Sequence, residues 1–352
     1  MYYYESTTTD PCENLAIEEY FFETLPAGTG LFMLWQNRDA VIVGRYQNTA
    51  EEINAAYVRE HGIEVVRRMS GGGAVFHDLG GLNYTIITDE EESPSDASSE
   101  SADGAPVWQT LMTPLLSVLR GYGLDARFTG RNDIEIGGRK IAGCAQYARG
   151  GRSLHHGCIL FDSDLAKIAA VLTPGEAKYV SRGDKSMPSR VTTIRACLEE
   201  LQPAGTQAEL PRDSVTMETF MRDLREAYLP QQTADGQSAL IPYPLTEADR
   251  EAVRRLCEEK YRTWAWNYGY RADYQVKKVR RFAAGTVQAE LDVREGCIEA
   301  VRLSGDFFAD GDITALESAL RGLPLDEHLA ERLPEGMIRG VSAAELARLL
   351  TD

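Results

Sequence analysis

Fixed cations and a run of glycines stand together in segment 67–78, which reads Arg-Arg-Met-Ser-Gly-Gly-Gly-Ala-Val-Phe-His-Asp. Three consecutive glycines remove every Cβ from a short loop, so backbone N–H groups can turn toward a ligand at hydrogen-bond distance. The two arginines add positive charge at the same place. This order of residues favours an anion-binding loop, although an isolated glycine run is more often a simple turn.

The common phosphate-binding loops have different spacings. A Walker loop requires Gly-Lys-Ser/Thr after its spacer, and a dinucleotide loop requires glycines one and then two residues apart at the start of a helix. Residues 63–66 and 82–87 instead read as strands on either side of the glycines. The sequence therefore predicts a loop held between strands.

A second group of polar residues lies in segment 130–146. Asn132 and Asp133 precede a Gly137-Gly138 turn, and Lys140 follows it. Two short strands joined by this turn form a predicted hairpin that brings an amide, a carboxylate and an ammonium to one cleft. Taken alone, the same hairpin also fits a surface ion pair worth at most about 1 kcal/mol.

Hydrophobic periodicity predicts the elements that carry these residues. Helices are predicted near 12–25 (capped by Asp10 or Asn14), 50–61, 107–122 (bent or divided at Pro114), 162–172 (capped by Asp162), 213–228, 246–262, 312–321 and 342–351. Strands are predicted at 31–35 and 41–44, joined as a hairpin, within 125–161, and at 276–292 and 297–303. The acidic segment 89–104 is predicted to be a solvated insertion, and 174–193 a long loop.

Composition restricts the class of ligand. The formal net charge of −17 argues against a nucleic-acid or acidic-membrane binder, whereas the positive residues concentrate near the glycine-rich segments and suit a small anion. Six cysteines without short paired spacing and an N-terminus without a signal pattern predict a reduced, cytoplasmic protein. A zinc site is disfavoured because His155 and His156, adjacent in a strand, point to opposite faces.

These motifs resemble the lipoate-protein ligase A family. Its Arg-x-Ser-Gly-Gly-Gly-Ala-Val-Phe/Tyr-His-Asp stands at 68–78, its Gly-Arg-Asn-Asp at 130–133 and its Lys-Ile/Val-x-Gly-x-Ala at 140–145. Segments 155–157, 189–191 and 264–267 fit further family positions. The chain departs from the family pattern at Gly81, where Asn is common, and at Cys144, where Asn or Ser is usual.

The resemblance implies an α+β fold in two domains. Residues 1–268 would form a catalytic domain similar to biotin ligases and class II aminoacyl-tRNA synthetases, with a mixed, largely antiparallel sheet. Residues 269–352 would form a small α/β accessory domain. The implied reaction converts lipoate and MgATP to lipoyl-AMP, and a lysine of a carrier domain then takes the lipoyl group. The implied carriers are lipoyl domains of 2-oxoacid dehydrogenase complexes or the glycine cleavage H protein, with octanoate left open as a second acyl substrate.

The resemblance also assigns residues. Lys140 is the predicted catalytic group, an ammonium placed where charge develops between the carboxyl oxygen and the α-phosphate. Asp133 is further assigned to Mg²⁺ through phosphate, and 181–191 to a lid over the adenylate. The predicted residues for binding the substrate and the adenylate are Arg68, Ser70, Gly71, Gly72, Gly73, Val75, His77, Asn132, Asp133, Ala145, His156, Gly157 and Arg190.

Two other functions stay open. An octanoyl or lipoyl transferase of the same fold would form a cysteine thioester without ATP, and Cys144 is the candidate nucleophile. A non-catalytic paralogue would bind the acyl ligand without turnover. The presence of Lys140 together with Arg68, Asn132 and Asp133 favours the ligase. A biotin ligase is disfavoured because its Gly-Arg-Gly-Arg-type loop is absent.

Overall fold

The computed structural model describes residues 1–89, 107–129, 132–172, 191–201, 215–228, 240–268, 276–283, 285–294, 296–326 and 328–351. Its helices are α1 (Pro11–Thr24), α2 (Thr49–Glu52), α3 (Ala55–Glu60), α4 (Val107–Gly121), α5 (Leu165–Val171), α6 (Ile194–Glu200), α7 (Met217–Ala227), α8 (Glu247–Leu256), α9 (Trp264–Tyr268), α10 (Ile313–Leu320) and α11 (Ala343–Thr351). Its strands are β1 (Tyr2–Glu5), β2 (Leu31–Trp35), β3 (Ala40–Val43), β4 (Glu64–Arg67), β5 (Val75–His77), β6 (Gly81–Asp89), β7 (Ala126–Thr129), β8 (Asp133–Ile136), β9 (Arg139–Arg149), β10 (Arg152–Leu160), β11 (Ile241–Pro242), β12 (Val276–Phe282), β13 (Gly285–Arg294) and β14 (Cys297–Gly305).

An eight-stranded sheet of order β11-β1-β2-β6-β10-β9-β8-β7 forms the largest part of the fold. Strand β1 pairs in parallel with β11 and β2, whereas the pairs from β2 to β7 are antiparallel. A three-stranded sheet has the order β4-β3-β5, and another has the order β12-β13-β14. The α+β class with a mixed, largely antiparallel sheet is confirmed.

The two faces of the large sheet differ in polarity. On β6, Leu82, Tyr84 and Ile86 join a hydrophobic core that also contains residues of α4, α6 and α7. Alternation along the strand turns Asn83 and Thr85 to the opposite face. These two polar residues are 1% and 0% exposed, so this second face is both buried and polar.

The chain divides into two compact units. The larger contains Met1–Ala40, Phe76–Ala170 and Ser186–Tyr261, and the smaller contains Val41–Val75, Val171–Lys185 and Arg262–Asp352. The smaller unit includes the sheet β12-β13-β14, which packs with α10 and α11 around its own apolar core. In chain order, this sheet and these two helices follow the large sheet.

The predicted hairpin of 31–35 and 41–44 is wrong. Strand β2 pairs with β1 and β6, whereas β3 belongs to the sheet β4-β3-β5. All residues of both strands are buried, so neither shows the alternation that would indicate a shared sheet face. The strand β1 was not predicted.

Several helix predictions also need correction. The helix predicted at 50–61 is two short helices, because Ile53 forms an isolated bridge with Leu172 and Asn54 caps α3. Helix α4 is continuous through Pro114. Asp164, rather than Asp162, caps α5, since its carboxylate accepts from the N–H of Lys167 at 3.0 Å. Helix α6 was missed.

Other predictions fall partly or wholly on residues outside the described ranges. These are the acidic insertion 89–104, the long loop 174–193, the lid 181–191 and Arg190. Among the described residues, no helix combines the length and the apolar character that crossing a membrane requires.

Candidate active site

The hairpin of β8 and β9 positions the predicted catalytic lysine. Its turn uses Gly137 at φ 58° and Gly138 at φ 76°, a conformation that glycine adopts without strain. Across the hairpin, Nζ of Lys140 lies 2.6 Å from Oδ1 of Asp133, with the two side chains 37% and 32% exposed. The ammonium therefore has a fixed carboxylate partner and retains access to solvent.

Asn132 fastens the same hairpin from outside the strand. Its side-chain nitrogen donates to the carbonyl oxygen of Cys144 at 2.7 Å, and its own carbonyl oxygen accepts from the N–H of Cys144 at 2.9 Å. The side-chain bond uses the nitrogen of the Asn132 amide and not its oxygen. Asn132 thus holds the start of β8 beside the lysine.

A cross-strand row connects this hairpin to the centre of the large sheet. The register pairs Trp35 with Asn83, Asn83 with Cys158, Cys158 with Gly143, and Gly143 with Asp133. Paired residues of antiparallel strands project from the same face. The Lys140–Asp133 pair therefore stands at one end of the buried polar face.

The neighbouring row contains Thr85, His156 and Ala145. Helix α1 brings Glu18 to this row, where Oε1 accepts from the Thr85 hydroxyl and from Nδ1 of His156, each at 2.7 Å. Nε1 of Trp35 donates to the same Thr85 hydroxyl at 2.9 Å. Since Nδ1 of His156 donates, Nε2 is the acceptor of the neutral ring.

His77 has the opposite arrangement of donor and acceptor on its ring. Nδ2 of Asn37 lies 3.1 Å from its Nδ1, and an amide nitrogen donates, so Nε2 of the neutral ring carries the proton. The Trp35 ring and the imidazole are arranged edge to face, with 5.8 Å between the ring centroids. The larger unit therefore presents two buried imidazoles, at residues 77 and 156, that offer different hydrogen-bonding groups.

In the smaller unit, Arg68 shapes the glycine loop. Its guanidinium donates to the Ser70 hydroxyl at 2.9 Å and to the carbonyl oxygens of Gly71 and Gly73 at 2.6 and 2.9 Å. It is 6% exposed, and it also donates to the carbonyl of Ile42. Arg68 therefore bends loop carbonyls toward itself.

Close main-chain packing explains the glycines. Gly72 has φ 88°, and its N–H donates to the carbonyl oxygen of Phe307 at 3.2 Å. A Cβ at Gly71 would lie 2.5 Å from that same oxygen, and one at Gly44 would lie 2.0 Å from the carbonyl oxygen of Gly72. A segment of the C-terminal part of the chain thus contacts the loop directly.

The preceding arginine ties β4 to α9. Arg67 is 1% exposed and donates to the carbonyl oxygens of Gly44, Gln47 and Trp266 at 2.7, 2.8 and 2.9 Å. Its backbone N–H donates to Oδ1 of Asn267 at 2.9 Å. Arg67 is therefore an internal support of the loop.

The predicted site residues separate between the two units. Arg68, Ser70, Gly71, Gly72, Gly73 and Val75 belong to the smaller unit; His77, Asn132, Asp133, Lys140, Ala145, His156 and Gly157 belong to the larger. Within the larger unit, the structure brings Lys140 to Asp133 and pairs Ala145 with His156. Gly157 lies on the other face, where its Cβ would meet the Tyr84 hydroxyl at 2.6 Å.

Sequence reasoning missed Glu18 and Asn37, the polar partners of the two imidazoles, and Thr85, whose hydroxyl donates to Glu18. Glu18 carried a usable signal. It lies one helical turn after Asn14 and one before Phe22, and all three are buried. A carboxylate on the inner face of a helix requires a buried polar partner.

Cys144 has the environment of a structural thiol. It is 8% exposed, and the Tyr84 hydroxyl donates to its sulfur at 2.8 Å. Burial raises the pKa of Cys144 to about 11. A thiol that stays protonated at neutral pH is a poor nucleophile, which argues against the thioester alternative.

Family models match most of the chain. Residues 10–228 match the lipoyl protein ligase A/B catalytic domain, and residues 271–350 match the bacterial lipoate protein ligase C-terminus. Lipoate–protein ligase 1 of Staphylococcus aureus is 39% identical over 328 residues, which are 93% of this chain and 91% of that protein.

Solved structures agree in fold. Lipoate-protein ligase A bound with ATP has a TM-score of 0.60 and 25% identity, covering 77% of this chain and 100% of its own. A bi-partite lipoate protein ligase of Thermoplasma acidophilum, studied together with its E2 lipoyl domain, has a TM-score of 0.60 and 25% identity, covering 78% and 98%. The fold and the site together define an α+β ligase. The chain belongs to the lipoate-protein ligase family.

Proposed function

We propose that this enzyme activates lipoate with ATP to lipoyl-AMP and transfers the lipoyl group to a lysine of a lipoyl carrier domain. The observation that carries the proposal is the Lys140–Asp133 pair at one end of the polar sheet face that also holds His156. The ATP-bound relative and the relative studied with its lipoyl domain support the choice of substrates.

Lys140 is the proposed catalytic residue in both half-reactions. In the first, the lipoate carboxylate attacks the α-phosphorus and pyrophosphate leaves, so two anions must approach each other. In the second, an amine attacks the acyl carbon and AMP leaves. An ammonium held in place stabilises the negative charge that develops on oxygen in each step. Asp133 keeps this ammonium in position before the substrates arrive.

The glycine loop is the proposed cradle for the polar centre of the adenylate. Ser70, Gly71 and Gly73 supply backbone groups, whereas the N–H of Gly72 donates to the Phe307 carbonyl oxygen. Arg68 acts on the loop by holding the carbonyls of Gly71 and Gly73. Drawing carbonyls inward favours outward N–H groups, which bind anions. Direct adenylate contacts of Val75, His77, Gly157 and Arg190 remain predictions.

Asp133 and Asn132 fit a phosphate-bound Mg²⁺. Mg²⁺ takes carboxylate oxygens and substrate phosphates as ligands, and it neutralises phosphate charge when bound. The Asp133 carboxylate is 32% exposed and uses Oδ1 for Lys140. We propose that this carboxylate pairs with the Lys140 ammonium and also acts as a ligand of Mg²⁺.

The proposed protein substrates are lipoyl domains of 2-oxoacid dehydrogenase complexes or the glycine cleavage H protein, with lipoate as the acyl substrate and octanoate as a second one to test. We also propose a catalytic domain over 1–268, an accessory domain over 269–352, and a cytoplasmic location. The six cysteines all lie among the described residues and form no disulfide, which suits a reducing compartment.

Lipoate-dependent exchange of labelled pyrophosphate into ATP tests the proposal on the full chain. We expect exchange that requires lipoate and Mg²⁺, followed by addition of one lipoyl group to an apo lipoyl domain, read by mass spectrometry. Acyl transfer between carrier domains without ATP, abolished by Cys144→Ser, would instead identify the transferase. Tight lipoate binding with neither activity would identify the non-catalytic paralogue.

A further inference from the structure

Lys140 and Gly143 project from the same face of β9, although residues three apart in a regular strand point to opposite faces. The register with β8 explains this. Asp133 pairs with Gly143 and Ile134 with Ala142, but Glu135 pairs with Lys140, so Ile141 is an additional residue on β9. This is a β-bulge, a feature that re-aims side chains near functional sites.

The core confirms the local reversal. Ile141 and Ala142 are consecutive residues, yet both belong to the hydrophobic core on one face of the sheet, at 0% and 1% exposure. The bulge therefore turns Lys140 to the polar face. Its main chain is fixed there, because its carbonyl oxygen accepts from the N–H of Thr192 at 2.9 Å.

The ammonium occupies the space that a side chain at residue 143 would take. A Cβ built on Gly143 lies 2.8 Å from Nζ of Lys140, 3.0 Å from its Cε and 3.8 Å from Oδ1 of Asp133. Strand pairing with Cys158 on one side and Asp133 on the other fixes the main chain of Gly143. A methyl group there cannot move aside, so the flexible lysine must.

We propose that Gly143 is a positioning residue for Lys140. The space left by its missing side chain, called the seat below, holds the catalytic ammonium, and the bulge at Ile141 directs the lysine side chain into the seat. The inference rests on the proposed function of Lys140. Gly143 has no positive φ that would require glycine for conformational reasons. Its requirement for glycine comes from the space that Nζ and Cε of Lys140 occupy.

Three glycine-to-alanine variants separate this role from a folding role. Gly143→Ala should fold with near-normal thermal stability but lose about a hundredfold in the kcat of lipoate-dependent exchange, the scale of a small misplacement of a catalytic group. The Michaelis constant for ATP should change little. Gly121→Ala is the neutral control, since among the described residues nothing beyond its chain neighbours and its own helix backbone lies within 4 Å of its Cβ. Gly157→Ala should instead lower the melting temperature clearly, because its Cβ would lie 2.3 Å from the main-chain oxygen of Gly143.

A double-mutant cycle tests whether Gly143 acts through the lysine. In a Lys140→Met background, Gly143→Ala should cause no further loss, because two residues that act as one unit are not additive. A further loss of about a hundredfold in that background would overturn the proposal, as would near-normal kcat of Gly143→Ala alone.

A chemical readout keeps the result independent of the proposed reaction. Displacing Nζ from its seat should break the pair with Asp133 and raise the rate at which an amine-reactive ester labels Lys140, read by peptide mass spectrometry. An unchanged labelling rate would contradict the seat even if activity fell. If the wild type shows no lipoate-dependent exchange but Gly143→Ala still speeds labelling of Lys140, the seat is supported and the proposed function is rejected.

Discussion

The backbone N–H of Gly72 donates a hydrogen bond to the carbonyl oxygen of Phe307 at 3.2 Å. The ring of Phe308 lies within 3.3 Å of the position that a Gly72 Cβ would occupy. Phe307, which lies 235 residues after Gly72 in the chain, therefore helps to determine the shape of the loop. The glycines thus serve the packing of this unit as well as any ligand.

Gly71→Ala should destabilise the protein. Its Cβ would lie 2.5 Å from the Phe307 carbonyl oxygen, and two main chains must separate to admit it. Overpacking of this kind costs about 1–3 kcal/mol, which urea denaturation measures. Gly73→Ala is the matched control: its Cβ has no neighbour within 4 Å among the described residues. Equal stability of the two variants would refute the packing argument.

Lys140→Ala should leave a folded protein that adenylates lipoate about 100- to 1,000-fold more slowly, the loss expected on removal of one group that stabilises developing charge. Lys167→Ala is the matched control. Lys167 pairs with Asp39 at 2.7 Å, with the two side chains 29% and 39% exposed, so the ion pairs are alike. Exchange at the wild-type rate by Lys140→Ala would remove this lysine from the mechanism.

Cys144 and Cys158 should resist alkylation in the native protein at pH 7.5. Burial raises the pKa of Cys144 to about 11 and that of Cys158 to about 12, so neither forms the reactive thiolate. Iodoacetamide followed by peptide mass spectrometry should detect both only after unfolding. Rapid native labelling of Cys144 would reopen the thioester mechanism.

The same pKa shifts predict alkaline destabilisation. Unfolded thiols ionise near pH 9.0, whereas the folded ones keep their protons. Above that pH the unfolded state therefore binds fewer protons, and the free energy of unfolding falls as pH rises from 9 toward 11. The double variant Cys144→Ala, Cys158→Ala should show a shallower fall than the wild type in urea titrations across this range.

Local signals allowed part of the fold to be predicted. The hairpin of β8 and β9 was predictable because Gly137-Gly138 permits the positive φ of a tight turn between short strands. The partners of β2 and β3 were not, since fully buried strands lack a polar face and loop length alone does not select a partner. The bulge at Ile141 likewise depends on β8 and leaves no mark in local composition.

Motifs indicated the charged centre of the site but not its buried support. Lys140 and Asp133 lie seven residues apart, so a hairpin was enough to bring them together. Glu18 meets Thr85 and His156 across 67 and 138 residues of chain. Only the sheet register and the position of α1 create those contacts. The sequence also presented Arg68 as a ligand-binding cation, whereas its guanidinium donates to main-chain carbonyl oxygens and to the Ser70 hydroxyl.

Two buried asparagines in the larger unit should respond in opposite ways to replacement by leucine. Asn83 is 1% exposed, and neither atom of its side-chain amide has a hydrogen-bond partner among the described residues. Asn14 is 0% exposed, and its amide nitrogen donates to the carbonyl oxygens of Thr8 and Gln36 and to Oδ1 of Asn37. Burial is equal, so the hydrogen bonds distinguish the two sites.

Asn83→Leu should raise the free energy of unfolding by about 1–3 kcal/mol, because it removes desolvated polar atoms and adds an apolar side chain of similar size. Asn14→Leu should lower it by more than about 3 kcal/mol, because several buried partners lose their bonds at once. Urea denaturation of both variants beside the wild type measures the two changes. A loss of stability in Asn83→Leu comparable to that in Asn14→Leu would mean that the Asn83 amide forms hydrogen bonds in solution. Its contribution to folding would then be enough to explain its position on the polar face.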